Sequence, residues 1–175
     1  NNPLVTVGIP VFNGEKFMKR RLDSILNQTY QNFQILISDN GSNDLTSKIC
    51  EDYQKKENKI KYYRQQKNLG FVKNFNYLIK NTQTKYFVMA AVDDLWEPTF
   101  LEENIKILES NEKIVGSIGE VNYFGNISNK NNPPKIVEKL KKIIRKQDVN
   151  TLEKHVRSVS GEYNQKVDKY LRFNQ

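Results

Sequence analysis

Two adjacent carboxylates, Asp93 and Asp94, end a short apolar run of the chain. The run is rich in β-branched and aromatic residues, which predicts a strand over residues 85–92, buried on both faces of a parallel sheet. Like charges at the end of such a strand repel each other unless a cation lies between them and a ligand. The pair therefore indicates a site for a divalent cation with oxygen ligands. Alternatively, the acids favour the positive end of a helix predicted over residues 98–110.

Two further polar clusters follow apolar runs. Asn13-Gly14 comes after the run at residues 4–12, and the cluster at residues 39–44 comes after the run at 33–38. Each has a structural explanation, since Asn-Gly forms turns and Ser42, Asn43 or Asp44 is a suitable helix cap. In parallel sheets, however, ligands bind beyond the carboxyl ends of the strands. We therefore expect the three clusters to converge on one ligand-binding edge.

The elements that must position these clusters alternate along the chain. Strands are predicted at residues 4–12, 33–38, 59–64 and 85–92, with a fifth candidate at 113–124. Helices are predicted between them, because apolar residues recur at helical spacing. Those expected to face inward are Phe17, Met18, Leu22, Ile25 and Leu26 in the first helix, Leu45, Ile49 and Tyr53 in the second, and Phe71, Phe75, Leu78 and Ile79 in the third. This alternation predicts an α/β domain with a mostly parallel sheet and flanking helices.

Composition limits the class of protein. A chain of 175 residues with 37% hydrophobic content can bury one core. No apolar run is long enough to span a bilayer and no signal-peptide pattern opens the chain, so a cytoplasmic protein is expected. Cys50 is the only cysteine, which excludes an internal disulfide and fits a reducing compartment. We expect it to pack within a helix.

The positive charge is concentrated near the end of the chain. The net charge is +8, and residues 135–175 hold 11 Lys and Arg against 5 Asp and Glu. Residues 126–134 read as an exposed connection, and amphipathic helical patterns follow. This basic helical tail would contact anionic lipid at the inner face of a membrane, a nucleic acid or a partner, or form a solvated face. His155 has no partner at metal-ligand spacing, so we expect a surface residue.

Five segments, in order and at the spacing of a known family, resemble family 2 glycosyltransferases of the GT-A fold. They are VTVGIPVFNGE at residues 5–15, LDSILNQTY at 22–30, ISDNGSND at 37–44, NLG at 68–70 and VDDLWEP at 92–98. The resemblance covers roughly residues 3–125. It implies a nucleotide-sugar-binding domain over residues 1–125, followed at 126–175 by a linker and the basic helical segment, with the acceptor half truncated.

The resemblance also implies roles for individual residues. Asp39 matches a carboxylate that accepts a hydrogen bond from the uracil imide, for which an acceptor-only group is suited. Asp93 matches the last acid of the metal-binding Asp-x-Asp element, and Asp94 the acid beside it. The other positions implied to lie near the nucleotide are Pro10, Phe12, Glu15, Asn68 and Gly70. Asn74 and Asn76 are either further contacts of this kind or amides on a helix surface.

Two positions depart from the family pattern. Ala91 stands where an acid is frequent, two residues before Asp93, which removes a ribose or phosphate contact and leaves fewer protein ligands for the cation. Mn²⁺ or Mg²⁺ can still be held by one carboxylate, the diphosphate and water. Asn40 occupies the second position of the family's Asp-Asp-Gly-Ser element, which is a milder change.

The expected function is transfer of a sugar from a nucleotide-diphosphate donor, UDP-linked, to a hydroxyl of a saccharide or lipid-linked acceptor. A cation would offset charge on the leaving diphosphate, and a general base would give inversion in a single displacement. That base is not identified; Glu120 and Glu162 are conceivable substitutes, although surface positions suit both better. The alternatives are a catalytically incomplete donor-binding fragment and, more remotely, a nucleic-acid-binding protein; we expect no nucleic-acid partner. No pattern specifies the oligomeric state.

Overall fold

A computed structural model describes residues 2–117 and 119 of the chain. Within this range, strands and helices alternate as predicted. The strands are β1 (Val5–Val11), β2 (Phe33–Asp39), β3 (Ile60–Arg64) and β4 (Tyr86–Met89), and the helices are α1 (Glu15–Leu26), α2 (Thr46–Lys56), α3 (Phe71–Lys80) and α4 (Phe100–Ser110).

The four strands form a parallel sheet in the order β3-β2-β1-β4. β1 therefore lies inside the sheet, where Val7 pairs with Ile35 on one side and with Val88 on the other. Parallel neighbours need crossover connections, and the intervening helices supply them. The predicted α/β architecture with flanking helices is confirmed.

The core lies between the two inner strands and the first helix. Alternate residues of β1 and β2 are fully buried, and they pack against an apolar stripe of α1; the largest of these side chains are Ile9, Ile35, Ile37, Met18, Leu22 and Ile25. Cys50 is buried in α2, which confirms its predicted packing in a helix. Burial raises the pKa of its thiol to about 12, so the thiol stays protonated and unreactive at neutral pH.

The strand before the two carboxylates differs from its prediction. β4 is four residues long rather than eight, and its residues are half-buried or exposed, with Met89 43% exposed. The prediction of a strand buried on both faces is therefore wrong for the residues that the structure describes. An apolar run does not reveal how many neighbours a strand has, and within the described range β4 pairs with β1 alone.

Helix orientation was predicted less well than helix position. Phe71 is 62% exposed, Leu45 is 61% exposed and Phe17 is 40% exposed, so the prediction that these three face inward is wrong. In α3 the two buried residues are Asn74 and Leu78. The apolar side chains at the start of this helix suggested a core-facing stripe, whereas an amide four residues before Leu78 occupies the inward position.

Several predictions concern the remainder of the chain. Residues 113–117 form no strand, and most of the fifth predicted strand lies outside the described residues, as do Glu120, His155, Glu162 and the basic helical tail. The contact of the basic helical tail with a membrane stays a prediction. Among the helices of the described range, none combines the length and the apolar character needed to cross a bilayer.

Gly8 of β1 has no room for a side chain. A Cβ atom at this position would lie 2.5 Å from Cε2 of Phe87 and 3.5 Å from Cδ1 of Leu78. At Gly116, by contrast, an added Cβ would meet no atom of the described residues within 4 Å.

We expect Gly8→Ala to lower the free energy of unfolding by about 1–3 kcal/mol, because the Phe87 ring must leave its position. Gly116→Ala should change it by less than about 0.5 kcal/mol. Urea unfolding followed by circular dichroism measures both. Equal stability of the two variants would show that the Phe87 ring moves at no cost.

Candidate functional site

The carboxyl ends of the parallel strands meet at one edge of the sheet. Val11, the last residue of β1, pairs with Asp39 at the end of β2, and Asp39 pairs with Arg64 at the end of β3. The segments that follow these strands therefore begin side by side. This is the edge at which ligands bind in open α/β sheets.

The segment after β1 is hydrogen-bonded to the segment after β2. The backbone N–H of Asn13 donates to Ser42 Oγ (2.8 Å), and that of Gly14 donates to Thr46 Oγ1 (2.8 Å). Asn13 has a positive φ of 53°, a conformation that asparagine tolerates better than most residues. These contacts satisfy N–H groups at the start of α1, so the loop of residues 40–46 acts as the cap of that helix.

Glu15 completes this connection. Its backbone N–H donates to Asp44 Oδ2 (3.1 Å), and its side-chain Oε2 accepts from the backbone N–H of Leu45 (2.9 Å). Its carboxylate is thus engaged by the protein rather than directed only to solvent. The position implied for nucleotide binding is at the predicted edge, and its observed contacts hold two loops together.

Asp39 is fully buried and surrounded by donors. Oδ1 accepts from the backbone N–H of Ser42 (2.9 Å) and from its hydroxyl (2.5 Å), while Oδ2 accepts from the Tyr62 hydroxyl (2.8 Å). Nε of Arg64, whose side chain is 51% exposed, lies 3.7 Å from Oδ2. Burial and the hydrogen bond to Asp39 raise the pKa of Tyr62, so its hydroxyl remains a donor.

Two amides connect the loops after β2 and β3. Asn40 Nδ2 donates to Asn68 Oδ1 (2.9 Å), and Asn40 Oδ1 accepts from the backbone N–H of Leu69 (2.8 Å). Asn68 Oδ1 also accepts from the N–H of Gly70 (2.8 Å), which has a φ of +81° and precedes α3. Asn68 and Gly70 are exposed beside the ends of β2 and β3, so the structure brings them to the same edge.

The remaining predicted residues differ in their environment. Pro10 lies within β1 and is half-buried, and Phe12, just past the strand, is 46% exposed. Asn74 is buried at the start of α3, where its Nδ2 donates to the carbonyl of Ser38 (2.8 Å) and its Oδ1 accepts from the Ser38 hydroxyl (2.6 Å). A surface position for Asn74 is therefore wrong; its amide holds α3 to β2.

Asp93 and Asp94 are exposed in the segment between β4 and α4. Val92, which precedes them, packs beside the turn after β1, because a Cβ atom at Gly14 would lie 3.2 Å from Val92 Cγ2. The turn at Gly14 thus contacts both the carboxylate segment and the loop of residues 40–46. Through this turn, the segment that carries Asp93 and Asp94 and the loop of residues 40–46 are joined.

The carboxylates of Asp93 and Asp94 can supply only some of the ligands that a divalent cation needs. Two adjacent carboxylates supply the oxygen ligands that Mg²⁺ and Mn²⁺ prefer. Among the residues that the structure describes, no group of three or more His, Cys, Asp or Glu side chains is arranged to hold a metal. The residues fit a cation that takes its other ligands from a diphosphate and water, as Mg²⁺ sites at phosphate substrates do.

A buried arginine lies against this segment. Arg21 of α1 is fully buried, donates from Nη1 to the carbonyl of Asp94 (3.1 Å), and stacks over the Trp96 ring at 4.1 Å from its centroid. Burial lowers the pKa of the Arg21 guanidinium to about 10, and the carboxylates of Asp94 and Asp93 oppose that shift. The group therefore remains charged at neutral pH.

The sequence singles out Glu15, Asn40 and Asn68 among the residues that hold these loops, but not Arg21. Arg21 occupies the apolar stripe of α1, between Met18 and Ile25, and a charged residue in such a stripe was the available signal. Ser42 was weighed as a helix cap, but its bond to Asp39 was not foreseen. Ser24 and Gln28 lie in the segment of residues 22–30 that carries the family resemblance, but the sequence predicts no role for either of them.

Asp44 predicts a specific pH dependence of stability. Its pKa is below the ordinary 3.8: burial alone would raise it, but hydrogen bonds from Thr46 and Glu15 outweigh that effect. A lowered pKa contributes stability above the unfolded-state value, and that contribution disappears as pH falls through the folded-state value. We expect Asp44→Asn to be less stable than the unmodified protein at pH 7 and to lose less stability between about pH 5 and pH 3.

Urea unfolding at a series of pH values measures this difference. Asp52→Asn is the matched control, because Asp52 is an exposed acid of α2. Parallel pH profiles for Asp44→Asn and the unmodified protein would contradict the assignment.

Comparison with known proteins gives relatives of one kind. The chain is 35% identical over 123 residues to an uncharacterized glycosyltransferase of Haemophilus influenzae, a match covering 69% of the chain and 38% of the relative. It is 40% identical over 107 residues to an uncharacterized glycosyltransferase of Rickettsia typhi, covering 61% of the chain and 32% of the relative. The chain thus spans about a third of the length of these relatives.

Solved structures resemble the fold. Residues 1–349 of S. aureus TarS, in complex with UDP, superpose with a TM-score of 0.58 at 24% identity, covering 62% of the chain and 32% of that TarS chain. The mannosyltransferase PcManGT of Pyrobaculum calidifontis, in complex with GDP-Man and Mn²⁺, gives 0.57 at 21% identity, covering 62% of the chain and 33% of that protein. The fold is that of GT-A glycosyltransferases.

The family follows from a match along most of the chain. The model of Glycosyl transferase family 2 matches residues 6–167 of the 175. Together with the relatives and the fold, this confirms the resemblance found in the sequence. The chain belongs to glycosyl transferase family 2.

Proposed function

We propose that this chain binds a UDP-linked sugar at the carboxyl edge of its sheet and supplies the donor side of sugar transfer to a hydroxyl of a saccharide or lipid-linked acceptor. One observation carries the proposal: the segment holding Asp93 and Asp94 and the loops after β1, β2 and β3 form one continuous group at that edge. Membership of a glycosyltransferase family supports the reaction class.

The two exposed carboxylates are proposed to hold Mn²⁺ or Mg²⁺ together with the donor diphosphate. When bound, the cation offsets charge that develops on the leaving diphosphate. Asp93 and Asp94 contribute oxygen ligands from one segment whose backbone is hydrogen-bonded to α1, so they also orient the diphosphate relative to the nucleotide loops. PcManGT was solved with GDP-Man and Mn²⁺, which supports a metal-assisted donor site in this fold.

Recognition of the base is proposed to involve Asp39 and its surroundings. A carboxylate offers about four acceptor positions, and the described protein donors occupy two on Oδ1 and one on Oδ2. One position on Oδ2 therefore remains for a uracil imide N–H. Because Asp39 is buried, a neighbouring side chain must move before a base can reach it. Arg64 is a better candidate for this movement than Tyr62, because the Arg64 side chain is half-exposed and the Tyr62 hydroxyl is hydrogen-bonded to Asp39. TarS, solved with UDP and with UDP-GlcNAc, supports uracil as the base.

The other positions complete the proposed nucleotide site. The exposed Phe12 ring offers an apolar face beside the base, next to Pro10 in β1. Asn68 and Gly70 belong to the loop after β3, and Glu15 is hydrogen-bonded to the loop of residues 40–46 after β2. Asn68 and Glu15 would contribute through position as much as through direct contact, because Oδ1 of Asn68 and Oε2 of Glu15 already accept hydrogen bonds from the protein.

The second candidate is donor binding without turnover by this chain alone. It is favoured by the fact that the chain spans about a third of the length of its relatives. Sugar transfer with inversion needs a general base that deprotonates the acceptor hydroxyl. Under this proposal the base lies in the acceptor half of the full-length protein.

Calorimetric titration with UDP tests the metal site. We expect Mn²⁺ to strengthen UDP binding, and Asp93→Asn or Asp94→Asn to weaken the Mn²⁺-dependent binding by about tenfold or more, as loss of a charged metal partner does. Asp52→Asn should have no effect, since this acid is exposed on α2. Mn²⁺-dependent binding that survives both substitutions would place the cation elsewhere.

A comparison of UDP with CDP tests the role of Asp39. Uracil presents an N–H where cytosine presents an acceptor, so the unmodified protein should prefer UDP. Asp39→Asn should reduce that preference, because a mismatched buried polar pair costs about 1–3 kcal/mol. If Asp39 only supports the loop, its substitution will lower stability and leave the UDP-to-CDP affinity ratio unchanged.

Turnover separates the two candidate functions. The chain and a longer version including the acceptor half are incubated with UDP-sugars and Mn²⁺, and release of UDP by hydrolysis, in which water takes the sugar, is followed. We expect the longer protein to release UDP and this chain to bind without release. Release by this chain at a similar rate would show that the catalytic groups lie within its 175 residues.

A further inference from the structure

One face of α1 holds the backbone of the carboxylate segment. Arg21 donates to the carbonyl of Asp94, Ser24 Oγ contacts the carbonyl (3.3 Å) and N–H (3.1 Å) of Trp96, and Gln28 Nε2 donates to the carbonyl of Glu97 (2.8 Å). The three side chains are spaced three and four residues apart, which places them on a single helix face. We call Arg21, Ser24 and Gln28 the α1 ladder.

Arg21 is the unusual member of the ladder. Its guanidinium stacks on Trp96 and makes one hydrogen bond, while Nε and Nη2 are buried without a partner among the residues that the structure describes. A guanidinium has five donors, so most of its capacity is unused by these contacts. Burying a charged group with so few hydrogen bonds costs free energy, so filling space alone is a poor explanation for an arginine here.

A purely packing role does not explain this residue. An apolar side chain of similar volume avoids the desolvation of a buried charge and often gives equal or higher stability. The guanidinium, however, donates to the carbonyl of Asp94 (3.1 Å), so its positive charge lies beside the segment of the two acids that the proposed function assigns to the cation. Its charge therefore acts where the carboxylates are adjacent and repel each other.

We propose that Arg21 is a positioning residue for the Asp93–Asp94 pair: through the α1 ladder it fixes the backbone of the carboxylate segment and keeps the two acids oriented for a cation and diphosphate. The inference rests on the proposed function for its chemical purpose. Its geometric part, a segment held in place by Arg21, stands independently and can be measured without any ligand.

The same helix gives the ladder a second consequence. At its N-terminus α1 is bonded to the loop of residues 40–46 through Gly14 and Glu15, and along its length it is bonded to the carboxylate segment. The distance between the proposed base site and the proposed metal site is thus set by one rigid helix. Loosening the ladder should disturb the metal side while leaving the base side intact.

The test uses Arg21→Met, which keeps an unbranched side chain and removes the charge and the donors. Arg21→Lys restores the charge, Ser24→Ala removes the neighbouring contact, and Lys19→Met is the control, a loss of the same charge at an exposed position of α1. Hydrogen exchange of the backbone N–H groups of residues 93–97 and acrylamide quenching of Trp96, the only tryptophan, report the segment directly. Thermal unfolding of each variant shows how much is folded.

UDP affinity is then measured with Mn²⁺ and with a chelator. In Arg21→Met we expect faster exchange at residues 93–97, greater quenching of Trp96, and Mn²⁺-dependent affinity lower by about tenfold or more, with chelator-measured affinity changed less than about twofold. Arg21→Lys should recover part of the loss, Ser24→Ala should reproduce the faster exchange, and Lys19→Met should match the unmodified protein.

Three results would overturn the inference. The first is unchanged exchange and quenching in folded Arg21→Met. The second is an equal fall of both affinities, which indicates a general structural role. The third, if Arg21→Met does not fold, is unaltered exchange in both Arg21→Lys and Ser24→Ala. Absence of Mn²⁺-dependent binding in the unmodified protein would reject the proposed function instead, while exchange still decides whether Arg21 holds the segment.

Discussion

The site depends on the double attachment of helix α1. Its first turn takes hydrogen-bond partners from the loop after β2, and its polar face binds the backbone between β4 and α4. Both loops are otherwise irregular, and irregular backbone needs partners for its N–H and C=O groups. Helix α1, which is packed into the core, supplies these partners, so both loops are attached to the same element.

The sheet order makes this arrangement possible. β1 lies between β2 and β4, and α1 follows β1 directly, so the helix starts between the loops that it must join. Its apolar stripe packs on the sheet through Met18, Leu22 and Ile25. Polar side chains beside that stripe are then directed at the neighbouring loop. The same helix therefore packs into the core through its apolar side chains and holds the neighbouring loop through its polar ones.

The sequence predicted the elements well and the direction of individual side chains less well. Periodicity located the helices and the strands β1 to β3 to within a few residues, because apolar spacing is a local property. The burial of Asp39 was not predictable, since Tyr62, whose hydroxyl donates to Oδ2 of Asp39, lies 23 residues away in β3. The role of Arg21 was not predictable, because its partners Asp94 and Trp96 are more than seventy residues away. Phe71 was assigned inward on hydrophobicity alone, whereas Asn74 makes the buried contact.

The pairing of β4 with β1 has a consequence for biosynthesis. β1, β2 and β3 are neighbours in both sequence and space, whereas β4 must pair Val5 with Tyr86 across the whole intervening chain. Non-local pairings of this kind form late and slowly. On the ribosome the nascent chain therefore exposes an open β1 edge until the fourth strand emerges, and a chaperone that shields this edge would act before the carboxylate segment reaches its place.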